Sequence, residues 1–132
     1  MATIVCDIDG TLLRSGTQPM KGTIDFLKQN DPKYTIVIIT ARPASRRAET
    51  VASLRRAGVP YSRLMMNDIG PTHQDGLESK RKNINSLSGV VLAIDNDADV
   101  RAIYSKAGVK AVSPGQLTSN LLNKNFWNGV LR

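Results

Sequence analysis

The sequence predicts a three-layer α/β fold, a parallel sheet of about five strands covered by helices on both faces. Three observations predict it. Short β-branched runs alternate along the chain with segments of helical period. Three of those runs end on a polar residue, Asp7, Thr40 and Asp95. Glycines close two of the helical segments, at Gly58 and Gly108, just before the chain turns towards the next run. Neither an internal repeat nor a low-complexity linker breaks this pattern, so residues 1–132 read as one domain, with a core over about 3–114.

Thr3–Ile8 is the first expected strand. Met20, Ile24 and Leu27 follow at helical spacing after Pro19. Tyr34–Ile39 ("YTIVII") is the second strand. Pro43 suits the first turn of a helix, with Ala44, Ala48, Val51 and Leu54 on one face. Arg63–Met66 is a short third strand. Asp75 with Glu78 three residues on reads as a capping box, which starts a helix near Gly76 with Ile84 and Leu87 towards the core. Gly89–Ile94 is the fourth strand, Val100, Ile103 and Ala107 share a helix face, and Val109–Val112 is a weak fifth strand. The tail, residues 115–132, carries Leu121, Leu122, Phe126, Trp127 and Leu131. It reads as a short helix docked on the core, with an oligomer contact as the alternative.

Composition bounds the setting. Hydrophobic residues make up 41% and charged residues 22%, a globular balance. The apolar runs are far shorter than the ~20 residues a membrane span needs. The N-terminus has no basic segment followed by an apolar one, so no signal peptide is expected. Cys6 is the single cysteine, which excludes an internal disulfide and fits a reducing, cytoplasmic location. The formal charge of +7 fits either plain solubility or a polyanionic partner such as nucleic acid or a nucleotide.

Parallel α/β sheets bind ligands at the carboxyl ends of their strands, where Asp7, Thr40 and Asp95 are expected. Asp7 and Asp9 are two apart, so on an extended strand they point to one side. Like charges that close need a cation or a shared proton between them. Asp95 adds a third carboxylate. Oxygen-only ligands of this kind favour Mg²⁺. Gly10 lets the chain turn sharply.

The motifs "DIDGT", "VIITARP" and "VLAIDNDADV", in that order and with a lysine before the last, resemble the haloacid dehalogenase superfamily of phosphotransferases over roughly Thr3–Pro114. The resemblance implies a Rossmann-like core and a Mg²⁺-dependent phosphatase. It makes Asp7 the nucleophile that forms an aspartyl-phosphate and Asp9 the general acid, then general base. Thr40 binds the phosphoryl oxygens, and a lysine compensates charge. Asp7, the Asp9 carbonyl and Asp95 hold Mg²⁺. Gly10, Thr11, Thr40 and Arg42 are the candidates for substrate contact, although Arg42 also reads as a solvated loop arginine. Both Lys80 and Lys82 are available as the lysine; Lys80, one turn before Ile84, fits the pattern better. Asn96 departs from the paired-acid form of the last motif. Asn96, Asp97 and Asp99 are open between water-mediated metal contact, helix capping and surface charge. Asp75 reads as a cap, and His73 as a loop residue.

The intervals from Asp9 to the second strand and from Thr40 to Lys80 leave no room for a folded cap domain, so an open site is expected. The stretch "ITARPASRRAETVASLRRAGVPYSRLMM" resembles the 3′-phosphatase domain of phage and bacterial polynucleotide kinase/phosphatases, and stand-alone phage proteins of that type. The kinase half is not represented, since no GxxxxGK[ST] loop occurs. The expected partners are phosphorylated nucleic-acid ends or nucleotides. A small-molecule phosphatase such as a nucleotidase, and a non-catalytic Mg²⁺-dependent phosphate-binding module, are the alternatives.

Overall fold

Strand β1 (Thr3–Cys6) is buried along its whole length. It is the middle strand of a five-stranded sheet. The other strands are β4 (Thr35–Pro43), β5 (Arg63–Asn67), β6 (Val90–Ile94) and β7 (Ala111–Val112), in the order β5-β4-β1-β6-β7. Every pairing is parallel. A parallel strand covered on both faces has no solvent side, which is why β1 reads as a continuous apolar run. The computed structural model describes residues 1–122.

Side-chain parity divides the core into two layers. Ile4, Cys6, Ile8, Ile36, Ile38, Leu92 and Ile94 face one side. There they pack on Ile24 and Leu27 of helix α1 (Lys21–Asn30) and Leu54 of helix α2 (Arg47–Arg56). Val5, Val37, Ile39 and Ala93 face the other side. They meet Ile84 of helix α3 (His73–Asn85), and Val100, Ile103 and Tyr104 of helix α4 (Ala98–Lys106). The expected three-layer α/β architecture with five parallel strands is the observed one.

Several boundaries differ from expectation. The first strand stops at Cys6 rather than Ile8. After it the chain folds back, with the N–H groups of Thr11, Leu12 and Leu13 all directed at the Ile8 carbonyl. A hairpin that the sequence reading missed follows: β2 (Leu13–Arg14) pairs antiparallel with β3 (Gln18–Pro19). Its turn uses Ser15 at φ 52° and Gly16 at φ 79°. The second strand runs on through "TARP" to Pro43, and helix α2 starts only at Arg47, after a 3₁₀ turn at Ala44–Arg46. Helix α3 begins before Gly76, at His73. Its capping box is Thr72 with Asp75, not Asp75 with Glu78: the Thr72 hydroxyl accepts from the Asp75 N–H, and the Asp75 carboxylate accepts from the Thr72 N–H.

Neither interval holds a folded cap. The first carries the β2–β3 hairpin and α1, the second α2, β5 and the start of α3. Of the tail, Leu121 is buried in the α1–α2 layer. The expected docking of Phe126, Trp127 and Leu131 lies outside the described residues. No described helix is long and apolar enough to cross a membrane.

Candidate active site

Parity also sets the site. Asp7 continues the Val5 face beyond β1, and Asp95 continues the Ala93 face beyond β6, so both carboxylates point towards α3. Lys80 comes up from α3 to meet them. Its Nζ donates to Asp7 Oδ1 at 2.9 Å and to Asp95 Oδ2 at 2.7 Å. All three groups are buried: Asp7 is 5%, Lys80 4% and Asp95 0% exposed. Lys82, the alternative lysine, instead pairs with the exposed Asp68 at 3.3 Å. Lys80 is in the third turn of α3, not the first as expected.

The trio carries one net negative charge out of water. Burial pushes the Asp7 carboxyl up to about 6; Lys80 opposes the rise and Asp95 adds to it. Burial works against the Lys80 charge, but the two carboxylates outweigh it and raise its pKa above the usual lysine value. Beneath them lies Tyr104, which the sequence reading did not single out. Burial, followed by Asp95 and Asp7, lifts its phenol well above the ordinary range.

The remaining residues surround this trio. Thr40 is buried at the bend of β4, and its Oγ accepts from the Arg42 N–H at 3.1 Å, so its own proton is not used in that bond. The Thr11 hydroxyl, expected to face substrate, is fully buried and donates to Asp7 Oδ2 at 3.1 Å. Gly10 holds the turn at φ 81°. Asp95 Oδ1 accepts from the Asp97 N–H at 2.9 Å. Asp97 is the N-cap of α4, accepting from the Asp99 N–H at 2.8 Å. His73 is the first residue of α3 rather than a loop residue, and its Nε2 lies 3.9 Å from the exposed Asp99.

Arg42 corrects two expectations. It is neither a solvated loop arginine nor a free phosphate clamp. It is a strand residue, 5% exposed. Its Nε donates to Asp9 Oδ2 at 2.9 Å, its Nη2 to Asp9 Oδ1 at 2.7 Å and its Nη1 to Thr50 on α2 at 3.3 Å. This bidentate bond raises the Arg42 pKa, and burial opposes the rise. Asp9 therefore does not share a side with Asp7. The strand ends before it, and its carboxylate turns outward to Arg42, with the side chain 52% exposed.

Among the described residues no three His, Cys, Asp or Glu side chains are grouped to hold a metal by themselves. Mg²⁺ does not require three, because it keeps several waters and takes one or two carboxylates. Asp7 and Asp95 supply two buried carboxylates with one lysine between them, and the excess negative charge on that pair fits a divalent cation. Lys80 also forms one wall of a cleft of about 300 Å³, lined by Ala41, Pro43, Gly70, Leu77 and Val100.

The described residues thus form a parallel α/β core with an acid-lysine-acid cluster at its strand ends and no inserted cap. Residues 4–61 match the model of the haloacid dehalogenase-like hydrolases. Over those residues the chain is similar in sequence to that family. A structure of the Pnkp1/Rnl/Hen1 RNA repair complex is 21% identical, with a TM-score of 0.65 over 88% of this chain and 43% of that one. A second Pnkp1/Rnl/Hen1 structure is 20% identical, with a TM-score of 0.67 over 88% of this chain and 47% of the other. NagD from E. coli K-12 is 20% identical, with a TM-score of 0.41, covering 85% of this chain and 43% of NagD. This chain spans less than half the length of each. At these identities the likeness to the chains of the two Pnkp1/Rnl/Hen1 structures is one of fold. No curated protein matches the chain.

Proposed function

We propose that the protein is a Mg²⁺-dependent phosphomonoesterase that works through an aspartyl-phosphate on Asp7 and removes 3′-phosphates from nucleic-acid ends. The observation that carries the chemistry is the Lys80 ammonium 2.9 Å from Asp7 and 2.7 Å from Asp95. It puts a cation beside the only buried carboxylate at the end of the central strand.

In this reading an Asp7 carboxylate oxygen attacks phosphorus, and the bond to the ester oxygen breaks. The leaving oxygen takes a proton from Asp9. A water then attacks the acyl-phosphate and loses its proton to Asp9, which frees phosphate and restores Asp7. Lys80 and the Thr40 hydroxyl stabilise the charge on the phosphoryl oxygens. Asp7, Asp95 and the Asp9 carbonyl would hold the Mg²⁺, which when bound supplies further neutralisation of that charge.

The substrate half of the reading has three supports. The chain carries a net charge of +7. Among the described residues no cap domain stands over the strand ends, which suits a phosphate on a large molecule. The fold is similar to that of a chain in the Pnkp1/Rnl/Hen1 complex, described as one of RNA repair. The test is turnover with Mg²⁺ of 3′- and 5′-phosphorylated oligonucleotides, mononucleotides and sugar phosphates, by wild type and by Asp7→Asn. The 3′-phosphorylated oligonucleotide should be the best substrate, and Asp7→Asn should turn over none of them. Preference for mononucleotides would make the protein a nucleotidase, and an active Asp7→Asn would remove the mechanism.

A further inference from the structure

The cleft beside Lys80 has walls of apolar carbon: Ala41 and Pro43 at the end of β4, Leu77 on α3, Val100 on α4, and Pro71 in the loop between β5 and α3. The fold holds these walls in place. Asn67, buried at the end of β5, ties the loop down. Its Nδ2 donates to the Gly70 carbonyl at 2.8 Å and the Ala41 carbonyl at 3.3 Å, and its Oδ1 accepts from the Ile69 N–H at 2.8 Å. The Thr72–Asp75 box ties the other end. A Cβ on Gly70 would lie 2.3 Å from Asp75 Oδ2, and one on Gly76 would lie 3.2 Å from the Ala41 Cβ, so loop, helix and strand are at close approach. The cavity is therefore formed by the fold itself. At about 300 Å³ it is at the small end of ligand pockets, with room for one ring system. Charge limits what can enter. Among the described residues that line it, Lys80 is the only lysine or arginine, and Asp7 and Asp95 hold it. Asp97 adds an acid to the lining. A second phosphate has no cation to meet there.

We propose that this cleft takes the base of the nucleotide whose phosphate is removed, so that Pro43, Pro71, Leu77 and Val100 select a nucleoside phosphate over a sugar phosphate. This rests on the phosphatase reading above. Lys80 belongs both to the cleft and to the cluster around Asp7, so a group lodged in the cleft lies beside the phosphoryl group that Asp7 receives. A heterocyclic ring gains by burying its faces against apolar walls, whereas a sugar would bury hydroxyls without partners, at a cost. Asn67 is the one carboxamide among the described lining residues, and its amide is spent on the loop. No bidentate group remains to read a base edge. The selection is for a ring and not for a sequence.

The experiment compares two substrates in Mg²⁺ buffer: a 3′-phosphorylated oligonucleotide, and the same oligonucleotide with the base missing from its last residue. Wild type should show a kcat/KM about tenfold higher for the first. The ratio should hold between about 50 and 200 mM salt, because both substrates carry the same phosphates. In Leu77→Ala, which removes one wall, the ratio should fall to about threefold or less. Both rates are read on one preparation, so a variant that is partly unfolded lowers them together and leaves the ratio unaffected. A wild-type ratio near one, or a ratio unchanged in Leu77→Ala, overturns the inference while the phosphatase reading stands. Turnover of neither substrate instead removes the reading on which it rests.

Discussion

Asp7 is costly to the fold that houses it. Burial pushes its pKa up to about 6, above the ordinary aspartate value of 3.8. Between those values the folded chain binds more protons than the unfolded chain, so stability falls as pH rises through that window. The stabilising protonated form is fully present below about pH 4 and is lost above about pH 6. Asparagine resembles that form at every pH. In cation-free buffer Asp7→Asn should therefore be more stable than wild type at pH 7, by about 1–3 kcal/mol, and the gap should close near pH 4. Urea unfolding at the two pH values measures it, and a gap independent of pH would refute the role given to burial. Removing Lys80 works in the opposite sense. Lys80→Ala leaves two buried carboxylates without their cation and should cost about 3–5 kcal/mol, whereas Lys82→Ala, at an exposed pair, should stay within about 1 kcal/mol of wild type. Arg42 acts on Asp9 by position. The two guanidinium bonds fix where the Asp9 carboxylate stands. Arg42→Lys keeps the charge and loses the fork. It should lower kcat by about 10²-fold with a much smaller change in KM, and more for substrates with poor leaving groups. Equal loss in kcat and affinity would return Arg42 to substrate binding.

Each element places one of these groups, and the elements differ in how legible they were. The central strands could be read because burial on both faces makes them uniformly apolar and leaves their polar ends conspicuous, as at Asp7 and Asp95. The meeting of those two residues with Lys80 was legible from strand ends gathered at one edge and from the family resemblance, with the spacing to Ile84 favouring Lys80 over Lys82, whereas parity wrongly placed Asp9 beside Asp7. The β2–β3 hairpin was not, since each strand is two residues long and carries no alternation that could be detected. Only Ser15-Gly16 marked it, as a turn signal. The extension of β4 through Pro43 was hidden because proline suits a helix start as well as a strand end. The misreading made Arg42 a loop residue, when strand parity points it at Asp9 and Thr50. The start of α3 was displaced because two acid-bearing patterns overlap, Thr72-x-x-Asp75 and Asp75-x-x-Glu78, and spacing alone ranks them equally. The observed box predicts that Thr72→Ala destabilises by about 1 kcal/mol, because the Asp75 N–H loses its acceptor. The same change should slightly loosen the presentation of Lys80, which is two turns on. Denaturant midpoints for Thr72→Ala and Thr72→Ser test it. Serine should restore most of the loss, and a threonine replaceable by alanine at no cost would remove the cap from the account.

Among the described residues the strand ends are uncapped, and the chain has seven more basic than acidic residues. The arginines that follow Thr40 are not where that charge is free to act. Arg42 is committed to Asp9, Arg46 pairs with Glu49 at 2.7 Å, and Arg47 donates to the Leu64 carbonyl at 2.9 Å. Arg14 is differently placed. It stands exposed on the β2–β3 hairpin, four residues beyond Gly10. If the substrate is a nucleic-acid end, affinity must fall with salt as bound counterions are released, with a log–log slope of about −0.7 per phosphate neutralised on a single strand. Engaging ~3 phosphates would lose roughly tenfold or more between 50 and 200 mM salt. A mononucleotide, which offers one phosphate to the same site, should lose much less. Arg14→Ala should reduce the oligonucleotide slope by about 0.7 and leave mononucleotide turnover unchanged. The measurement is kcat/KM for both substrates across salt, in wild type and Arg14→Ala. Equal slopes for the two substrates would mean that only the terminal phosphate is held. The net charge would then serve solubility, and the substrate would be a small phosphoester.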